Sequence, residues 1–267
     1  MLRLQNIEKT FNIGSVNEKT AIKNLSLEMK QGEFATIVGS NGAGKSTMFH
    51  AIAGLFFCDR GSIELGGEDI TYLPEHNRSK VIGRLFQDPM KGTAPKMTIE
   101  ENLALAYLRG TKHGNSFFSQ ISKQDKKFFA EKLEQLNMGL EDRMKSPVGL
   151  LSGGQRQALT LLMATMVTPK LLLLDEHTAA LDPQTAEKVL EITERVVSEN
   201  NITTLMITHN MTQALTLGTR TLMMDSGNIV FDISGKERKN MNVDNLLEQF
   251  RLRAGKKLDN DRILLSE

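Results

Sequence analysis

The chain has 267 residues, of which 40% are hydrophobic and 24% are charged. This composition is ordinary for a globular domain and excludes disordered, collagen-like and low-complexity classes. The 33 basic residues nearly balance the 32 acidic ones, for a net charge of +1, which argues against a nucleic-acid partner held by bulk charge. The single cysteine, Cys58, excludes an internal disulfide and a cysteine-based metal site.

The first third of the chain predicts strands on both sides of a glycine-rich loop. Roughly alternating apolar residues at 2–7 and 22–29 predict an antiparallel sheet with one solvated face. The continuous apolar run at 34–38 predicts a buried strand, and a helical stretch to about residue 55 follows the loop. Gly61, Gly66 and Gly67 flank alternating residues, which indicates a hairpin, and residues 81–86 predict a further strand.

The middle of the chain has a helical pattern instead. Thr98 to Glu101 fits a capping box, and apolar residues follow it at helical spacing. Gly110 and Gly114 are expected to end this helix, and residues 122–138 have the pattern of an amphipathic helix. We therefore predict a helical insertion over residues 92–168.

Strands and helices alternate again after the insertion. Strands are predicted at 171–174, 202–207, 221–224 and 229–233. Asp182 and Pro183 begin a helix as its cap and its first residue. The alternation predicts an α/β fold with a mostly parallel, helix-covered sheet. We expect one domain over residues 1–267, with a core formed by 1–91 and 169–267 and a helical subdomain at 92–168.

A phosphate-binding loop is the strongest motif. The segment GSNGAGKS at 39–46 fits G-x-x-x-x-G-K-S/T and has a predicted strand before it and a helix after it. Its glycines let backbone N–H groups converge at a helix N-terminus, where the dipole favours anions. Lys45 would contact the β- and γ-phosphates, and Ser46 would offer a hydroxyl to Mg²⁺. The predicted nucleotide-binding residues here are Gly39, Ser40, Asn41, Gly42, Ala43, Gly44, Lys45, Ser46 and Thr47.

An acidic pair ends the first predicted strand after the insertion. In the segment LLLLDE, Asp175 emerges at the carboxyl end of the strand, where open α/β sheets bind ligands. We expect Asp175 to hold Mg²⁺ through its water shell, and Glu176 to orient or deprotonate the attacking water. Such a pair by itself is more often a solvated strand end, so the functional interpretation depends on the phosphate loop.

A third motif indicates a family. The segment LSGGQ (Leu151, Ser152, Gly153, Gly154 and Gln155) precedes a helical run and resembles the signature motif of ABC ATPases. With the phosphate loop, Gln87, Asp175, Glu176, Asp182 and His209 in the family's order, the resemblance spans nearly the whole chain. It implies a P-loop NTPase core with a mostly parallel sheet, an N-terminal antiparallel β subdomain and an α-helical insertion that carries the signature.

The resemblance implies roles for further residues. Gln87 would sense Mg²⁺ or the water, and His209 would contact the γ-phosphate and hold the catalytic Glu176. Asp182 would act in the loop that crosses the dimer, besides capping a helix. Phe11 would stack on adenine, with a core phenylalanine as the alternative.

The same resemblance implies partners. One chain has one phosphate loop and one signature, so ATP would be enclosed in a head-to-tail dimer with a second copy. A separate membrane permease would dock a cytoplasmic helix in a groove lined by residues 90–101 and the helix after Thr98. A solute-binding protein is also expected. The start has no secretory segment and no 18-residue apolar run exists, so we expect a cytoplasmic protein, peripheral on the inner face of the membrane.

We therefore predict the ATP-binding and hydrolysing subunit of an ABC transporter, which couples dimerisation to import of a solute, with amino-acid-like solutes favoured. The alternative is a non-transport ABC ATPase that acts as a soluble regulatory or assembly factor. The chain has neither a second phosphate loop nor a long coiled-coil pattern, which disfavours that alternative. His177 stands where most family members have proline. It would either add pH sensitivity or be a satisfied histidine at the surface or behind the residues that touch the ligand.

Overall fold

The computed structural model describes residues 1–110 and 121–254. Within these residues ten strands form two sheets, and helices pack on both faces of the larger sheet. The strands are β1 (Leu2–Phe11), β2 (Lys19–Met29), β3 (Phe34–Gly39), β4 (Arg60–Leu65), β5 (Glu68–Asp69), β6 (Ile82–Leu85), β7 (Leu171–Asp175), β8 (Thr203–Ile207), β9 (Arg220–Asp225) and β10 (Asn228–Ser234). The α-helices are α1 (Lys45–Ala53), α2 (Glu75–Arg78), α3 (Ile99–Gly110), α4 (Lys123–Glu134), α5 (Gly153–Thr165), α6 (Pro183–Glu199), α7 (Met211–Thr216), α8 (Gly235–Lys239) and α9 (Val243–Ala254).

The smaller sheet is antiparallel, with the strand order β2-β1-β4-β5. In β2, Ile22, Leu25 and Leu27 are all buried. The alternation of buried and exposed residues along the strand therefore shifts by one residue between Ile22 and Leu25. The pairing of β1 with β2 is irregular at this point, where Asn6 and Asn24 have φ angles of 49° and 47°. A bulge therefore keeps both ends of the strand facing the core. The predicted half-solvated antiparallel sheet is confirmed.

The larger sheet has the order β10-β9-β3-β8-β7-β6. The five strands from β9 to β6 run parallel, and β10 alone pairs antiparallel with its neighbour. Every residue of β3 is buried, because this strand lies inside the sheet and is covered on both faces. The carboxyl ends of the parallel strands meet at one edge, which brings the segments that follow β3, β6, β7 and β8 close together.

The helical segment between β6 and β7 shares its core with the larger sheet. Leu103 of α3, Phe129 of α4 and Leu159 of α5 belong to the same buried cluster as Leu172 and Leu174 of β7. The predicted capping box is present at α3, since Thr98 N donates to Glu101 Oε2 at 2.7 Å. Helix α3 is described as far as Gly110, and the predicted break at Gly114 lies outside the described residues.

Three buried arginines close the ends of helices and turns. Arg78 donates to the carbonyl oxygens of Ala51 and Ile52 at 2.8 and 2.9 Å, and so satisfies acceptors at the end of α1. Arg156 likewise donates to the Leu151 carbonyl before α5, and Arg238 donates to the Leu217 carbonyl after α7. The longest helix of the described ranges, α6, has 17 residues and several charges, and no helix there is long and apolar enough to cross a bilayer.

Candidate nucleotide-binding and hydrolysis site

The loop between β3 and α1 has the geometry of a phosphate cradle. Gly39 and Gly44 have φ angles of 154° and 101°, conformations that favour glycine. A Cβ atom on Gly39 would lie 2.2 Å from the carbonyl oxygen of Met224, and one on Gly44 would lie 2.6 Å from that of Ala21. The loop therefore needs both glycines for their backbone angle and for the close approach of β9 and β2. No side chain caps the N-terminus of α1, so its first N–H groups remain available to an anion.

Lys45 lies folded back over this loop. Its Nζ donates to the carbonyl oxygens of Gly39 and Ser40 at 2.7 and 3.1 Å. Burial lowers the pKa of the ammonium group, and the negative charges of Glu176 and Asp175 oppose that shift. The side chain is thus held among acceptors that a phosphate group can replace.

Asp175 and Glu176 leave the sheet at the carboxyl end of β7. Burial, followed by the charge of Glu176, raises the pKa of Asp175, whereas Arg84, Lys45 and His209 act to lower it. Glu176 has a φ angle of 45°, in the left-handed region, and its N–H donates to the Ile207 carbonyl at 3.1 Å. Both carboxylates act on the pKa of Lys45, so they lie beside the phosphate loop at the ligand-binding edge of the sheet.

His209 contacts Glu176 directly. Its Nε2 is 2.6 Å from Glu176 Oε1, and the two side chains are 28% and 13% exposed. Since β7 and β8 are parallel neighbours with Asp175 opposite Ile207, the residues just after each strand must meet. The pair lines an open cleft of about 590 Å³ with the apolar side chains of Leu181, Leu190 and Met206.

Gln87 is exposed two residues beyond the end of β6. Gln157 holds the chain just before Gln87, because its Nε2 donates to the Phe86 carbonyl at 3.1 Å. The Gln157 side chain is buried, with 1% of its surface exposed. Sequence reasoning missed Gln157, because a glutamine inside an apolar helix carries no local signal of the strand end that it contacts.

The signature segment starts α5 through a capping box. Ser152 Oγ accepts from Gln155 N at 3.3 Å, and Gln155 Oε1 accepts from Ser152 N at 3.2 Å. Leu151 is buried in the core that α5 shares with the sheet. Gly153 and Gly154 abut Leu181 and Thr185, so this segment lies against the start of α6, whereas the phosphate loop lies against β2 and β9.

The structure places Phe11 beside a second aromatic ring and Asp182 at the start of α6. The Phe11 ring packs edge-on against Phe56, with centroids 5.3 Å apart, and Lys9 Nζ lies 5.6 Å from its centroid. Asp182 caps α6 by accepting from Thr185 N at 3.0 Å, and hydrogen bonding to the Thr185 side chain and then to its backbone N–H lowers the pKa of the Asp182 carboxyl group. The predicted cap is confirmed, whereas adenine stacking and the role across a dimer stay predictions.

Two residues near the site are more buried than the sequence indicated. His177 is fully buried, and burial lowers its pKa to about 4, so the imidazole is neutral at physiological pH. Arg156 follows the signature and donates to the carbonyls of Gly149 and Leu151, both at 3.1 Å. It also contacts Met90 Sδ, and so connects the segment before the signature to the segment after Gln87.

The donor set at the sheet edge fits Mg²⁺. Ser46 and Gln87 offer exposed neutral oxygens, and Asp175 offers a carboxylate whose pKa is raised by burial and by the charge of Glu176. Hard oxygen donors of this kind, few in number, suit an ion that retains several of its waters. In the described part of the chain, no group of three or more histidine, cysteine or acidic side chains is placed to hold a metal ion. In phosphoryl-transfer sites the phosphate oxygens themselves bind Mg²⁺ alongside a few protein ligands.

The fold and the motifs together define a P-loop ATPase with a signature-bearing helical segment. Residues 22–179 match the family model described as ABC transporter. This match covers more than half of the chain, and the chain belongs to the ABC transporter family.

Individual relatives agree with this assignment. The chain is 42% identical over 250 residues to a tyrosine transport ATP-binding protein of Clostridioides difficile, covering 94% of this chain and 98% of that protein. It is 35% identical over 233 residues to a methionine import ATP-binding protein of Enterococcus faecalis, covering 86% of this chain and 64% of that protein.

Solved structures give the same result. A dimeric bacterial ABC transporter cassette and a dimeric post-hydrolysis cassette bound to ADP and Pi are each 28% identical, with TM-scores of 0.75 and 0.74. Each comparison covers 88% of this chain and 98% of the other. The protein is therefore an ATP-binding subunit of an ABC transporter and an ATPase. The relatives favour this function over a soluble regulatory or assembly factor.

Proposed function

We propose that the edge formed by the phosphate loop, Asp175, Glu176 and His209 hydrolyses ATP to drive import by a separate membrane permease. The observation that carries this proposal is the 2.6 Å contact between His209 Nε2 and Glu176 Oε1 at the carboxyl ends of adjacent strands. A carboxylate held by a histidine beside a phosphate cradle has the arrangement of a general base with its orienting group.

The residues divide the chemistry among them. The loop N–H groups and Lys45 bind the phosphates, and Lys45 exchanges two backbone carbonyls for phosphate oxygens. Glu176 accepts the proton of the attacking water, and His209 holds that carboxylate and reaches the γ-phosphate. Ser46, Asp175 and Gln87 would hold Mg²⁺, which when bound offsets the charge on the phosphate oxygens.

A second copy completes each site in this proposal. The signature segment abuts α6 of its own chain, away from the β2 and β9 side where the phosphate loop lies. The dimeric cassettes to which the chain is similar support a head-to-tail pair. ATP would then lie between the loop of one copy and Ser152 of the other, and hydrolysis would release the pair.

A cavity between the core and the helical segment, lined by both charged and apolar side chains, supports permease docking. It has a volume of about 130 Å³ and is lined by Glu75, Arg84, Phe86, Gly92, Arg109 and Met163, among others. The predicted groove included Gly92 and α3, while the walls from β6 and α5 were not predicted. Leu108 and Met90, close in sequence to the lining residues Arg109 and Gly92, are 39% and 47% exposed. The chain would then be cytoplasmic, on the inner face of the membrane, with a solute-binding protein in the assembly.

The proposed solute is an amino acid. The support is the tyrosine transport relative, which matches over nearly its whole length, together with the methionine import relative. Uptake of labelled amino acids by reconstituted transporter, with and without competing tyrosine, tests this part separately from the ATPase chemistry.

The Glu176→Gln substitution tests the general base. We expect turnover to fall at least about a hundredfold, because the amide cannot accept the proton, while ATP still binds. Glu187, an exposed carboxylate on the same cleft, gives the matched control Glu187→Gln, which should hydrolyse ATP normally. Wild-type turnover by Glu176→Gln would show that the base assignment is wrong.

Membrane capture tests the transporter assembly. Tagged Glu176→Gln with ATP and Mg²⁺ should recover a polytopic membrane protein in near-equal amount from gently solubilised membranes. Arg109→Glu should lose that protein, whereas Arg60→Glu, at an arginine whose side chain is 79% exposed on the other sheet, should retain it. Equal recovery by both charge-reversal variants would contradict docking at the cavity.

A further inference from the structure

His177 follows Glu176 directly and is completely buried. Glu176 itself has a φ angle of 45°, which a residue with a side chain seldom adopts. Strand β7 ends at Asp175, so Glu176, the candidate base, is the first residue outside the sheet. Such a backbone conformation persists only where the surrounding structure holds it.

The His177 ring is connected to the middle of α6. Its Nε2 lies 3.3 Å from Thr193 Oγ1, and that hydroxyl donates its proton to the Val189 carbonyl at 2.8 Å. A hydroxyl has one proton, so Thr193 accepts from the imidazole rather than donating to it. This pattern assigns the Nε2–H tautomer, and Nδ1 has no hydrogen-bond partner among the described residues.

Helix α6 also begins where the turn after Glu176 ends. Asp182 caps the helix through Thr185 N at 3.0 Å, and within the turn Ala179 N donates to the Glu176 carbonyl at 3.0 Å. His177 therefore connects the start of this turn to the middle of α6, which is the helix that follows the turn.

We propose that His177 is a positioning residue for Glu176, acting through the Nε2–H hydrogen bond to Thr193. The link holds the left-handed turn against α6 and so keeps the Glu176 carboxylate in contact with His209 and aimed at the attacking water. The proposal rests on the proposed role of Glu176 as the base. A misplacement of about 1 Å at a reacting group can reduce a rate about a hundredfold, so a loosened turn should lower kcat.

Three substitutions separate the hydrogen bond from simple packing. His177→Leu removes the donor, Thr193→Val removes the acceptor at nearly constant volume, and His177→Gln places an N–H donor at similar reach. Thr165→Val is the matched control, since the buried Thr165 hydroxyl makes the same bond within its own helix, to the Leu161 carbonyl at 2.8 Å.

The measurement is steady-state ATP hydrolysis by the full chain, normalised to nucleotide-binding sites titrated with a fluorescent ATP analogue. We expect kcat to fall about tenfold in His177→Leu and Thr193→Val, with KM and ATP affinity changed by less than about twofold. His177→Gln should recover most of the rate, and Thr165→Val should match the wild type.

Wild-type kcat in both His177→Leu and Thr193→Val would overturn the proposal, and so would a rise in KM at constant kcat or a failure of His177→Gln to restore the rate. If His177→Leu does not fold, Thr193→Val gives the test with His177 in place. Adding Thr193→Val to Glu176→Gln should cause no further loss, because the link acts through Glu176. Wild-type turnover by Glu176→Gln alone contradicts the proposed function instead.

Discussion

The phosphate loop and the signature segment each place glycines at the start of a helix, and the N-termini of the two helices differ. Helix α1 follows the phosphate loop without a side-chain cap, whereas α5 follows Ser152, which forms a full capping box with Gln155. The N-terminus of α1 is therefore open to a ligand in a single chain. The N-terminus of α5 is already partly satisfied within the chain, so its role toward ATP depends on what a second copy brings to it.

The glycines of the two segments differ as well. In the phosphate loop, Gly44 is required by its φ angle of 101° and by the backbone of β2. In the signature, Gly154 is helical, and a Cβ there would meet only the side chain of Thr185, at 2.0 Å. One glycine is needed by the backbone and the other by packing between two helices, which gives substitutions at the two sites different outcomes.

The largest effect is expected from Gly44→Ala. The added Cβ would have to occupy a left-handed conformation against a carbonyl oxygen, which should cost about 3 kcal/mol or more of stability and abolish ATP binding. Gly67→Ala is the control, because Gly67 has a φ angle of 82° and no atom within 4 Å of an added Cβ. Chemical denaturation and ATP titration measure both. Intact ATP binding by Gly44→Ala would disprove the geometry of the cradle.

A smaller effect is expected from Gly154→Ala. The Cβ contact with Thr185 should reduce stability by about 1–2 kcal/mol, while ATP binding by the single chain is retained. Thr185→Ser removes the contacting methyl group and keeps the hydroxyl, so the double variant should regain the lost stability. If the double variant remains as unstable as Gly154→Ala, packing against α6 is not the reason for this glycine.

Ser152→Ala should reduce stability by about 1 kcal/mol through loss of a cap. The chain offers a close control in Ser122→Ala, because Ser122 forms the same box with Asp125 at the start of α4. Both variants should lose similar stability in thermal unfolding, yet only Ser152→Ala should weaken the ATP-dependent dimer of the Glu176→Gln chain. Equal dimerisation of the two variants would count against the signature's role across the dimer.

The smallest effect concerns the far end of α1. Burial, followed by the charges of Arg84 and Lys91, lowers the pKa of His50 in the last turn of that helix. The folded chain therefore disfavours protonated His50. Above the ordinary histidine pKa of about 6.5, His50 is neutral in both the folded and the unfolded chain and the stability is fully present. As the pH falls through that value, the unfolded chain takes up a proton more readily than the folded chain, so the free energy of unfolding decreases. An NMR titration should place the His50 pKa higher in Arg84→Met than in the wild type, and an unchanged pKa would rule out the Arg84 contribution.

Much of this site was predictable because its signals are local. The phosphate loop, the acidic pair after a buried strand and the caps at Thr98 and Asp182 each depend on a few consecutive residues, and the structure has the corresponding loop, strand end and helix starts. Gln157, Arg156 and the link from His177 to Thr193 were not predicted. Each joins residues far apart in sequence, and no local pattern indicates which carbonyl or hydroxyl a buried polar side chain will find.

The sequence by itself determined the loop that can cradle phosphates, the alternation that makes an α/β sheet and the order of the family's motifs, since these follow from short-range backbone preferences and periodicity. Only the tertiary structure decided that β7 and β8 lie side by side, so that His209 meets Glu176, and that the signature adjoins α6 instead of the phosphate loop. Strand order and helix packing are set by burial of the whole core, and the contacts of the catalytic edge are a consequence of that global arrangement.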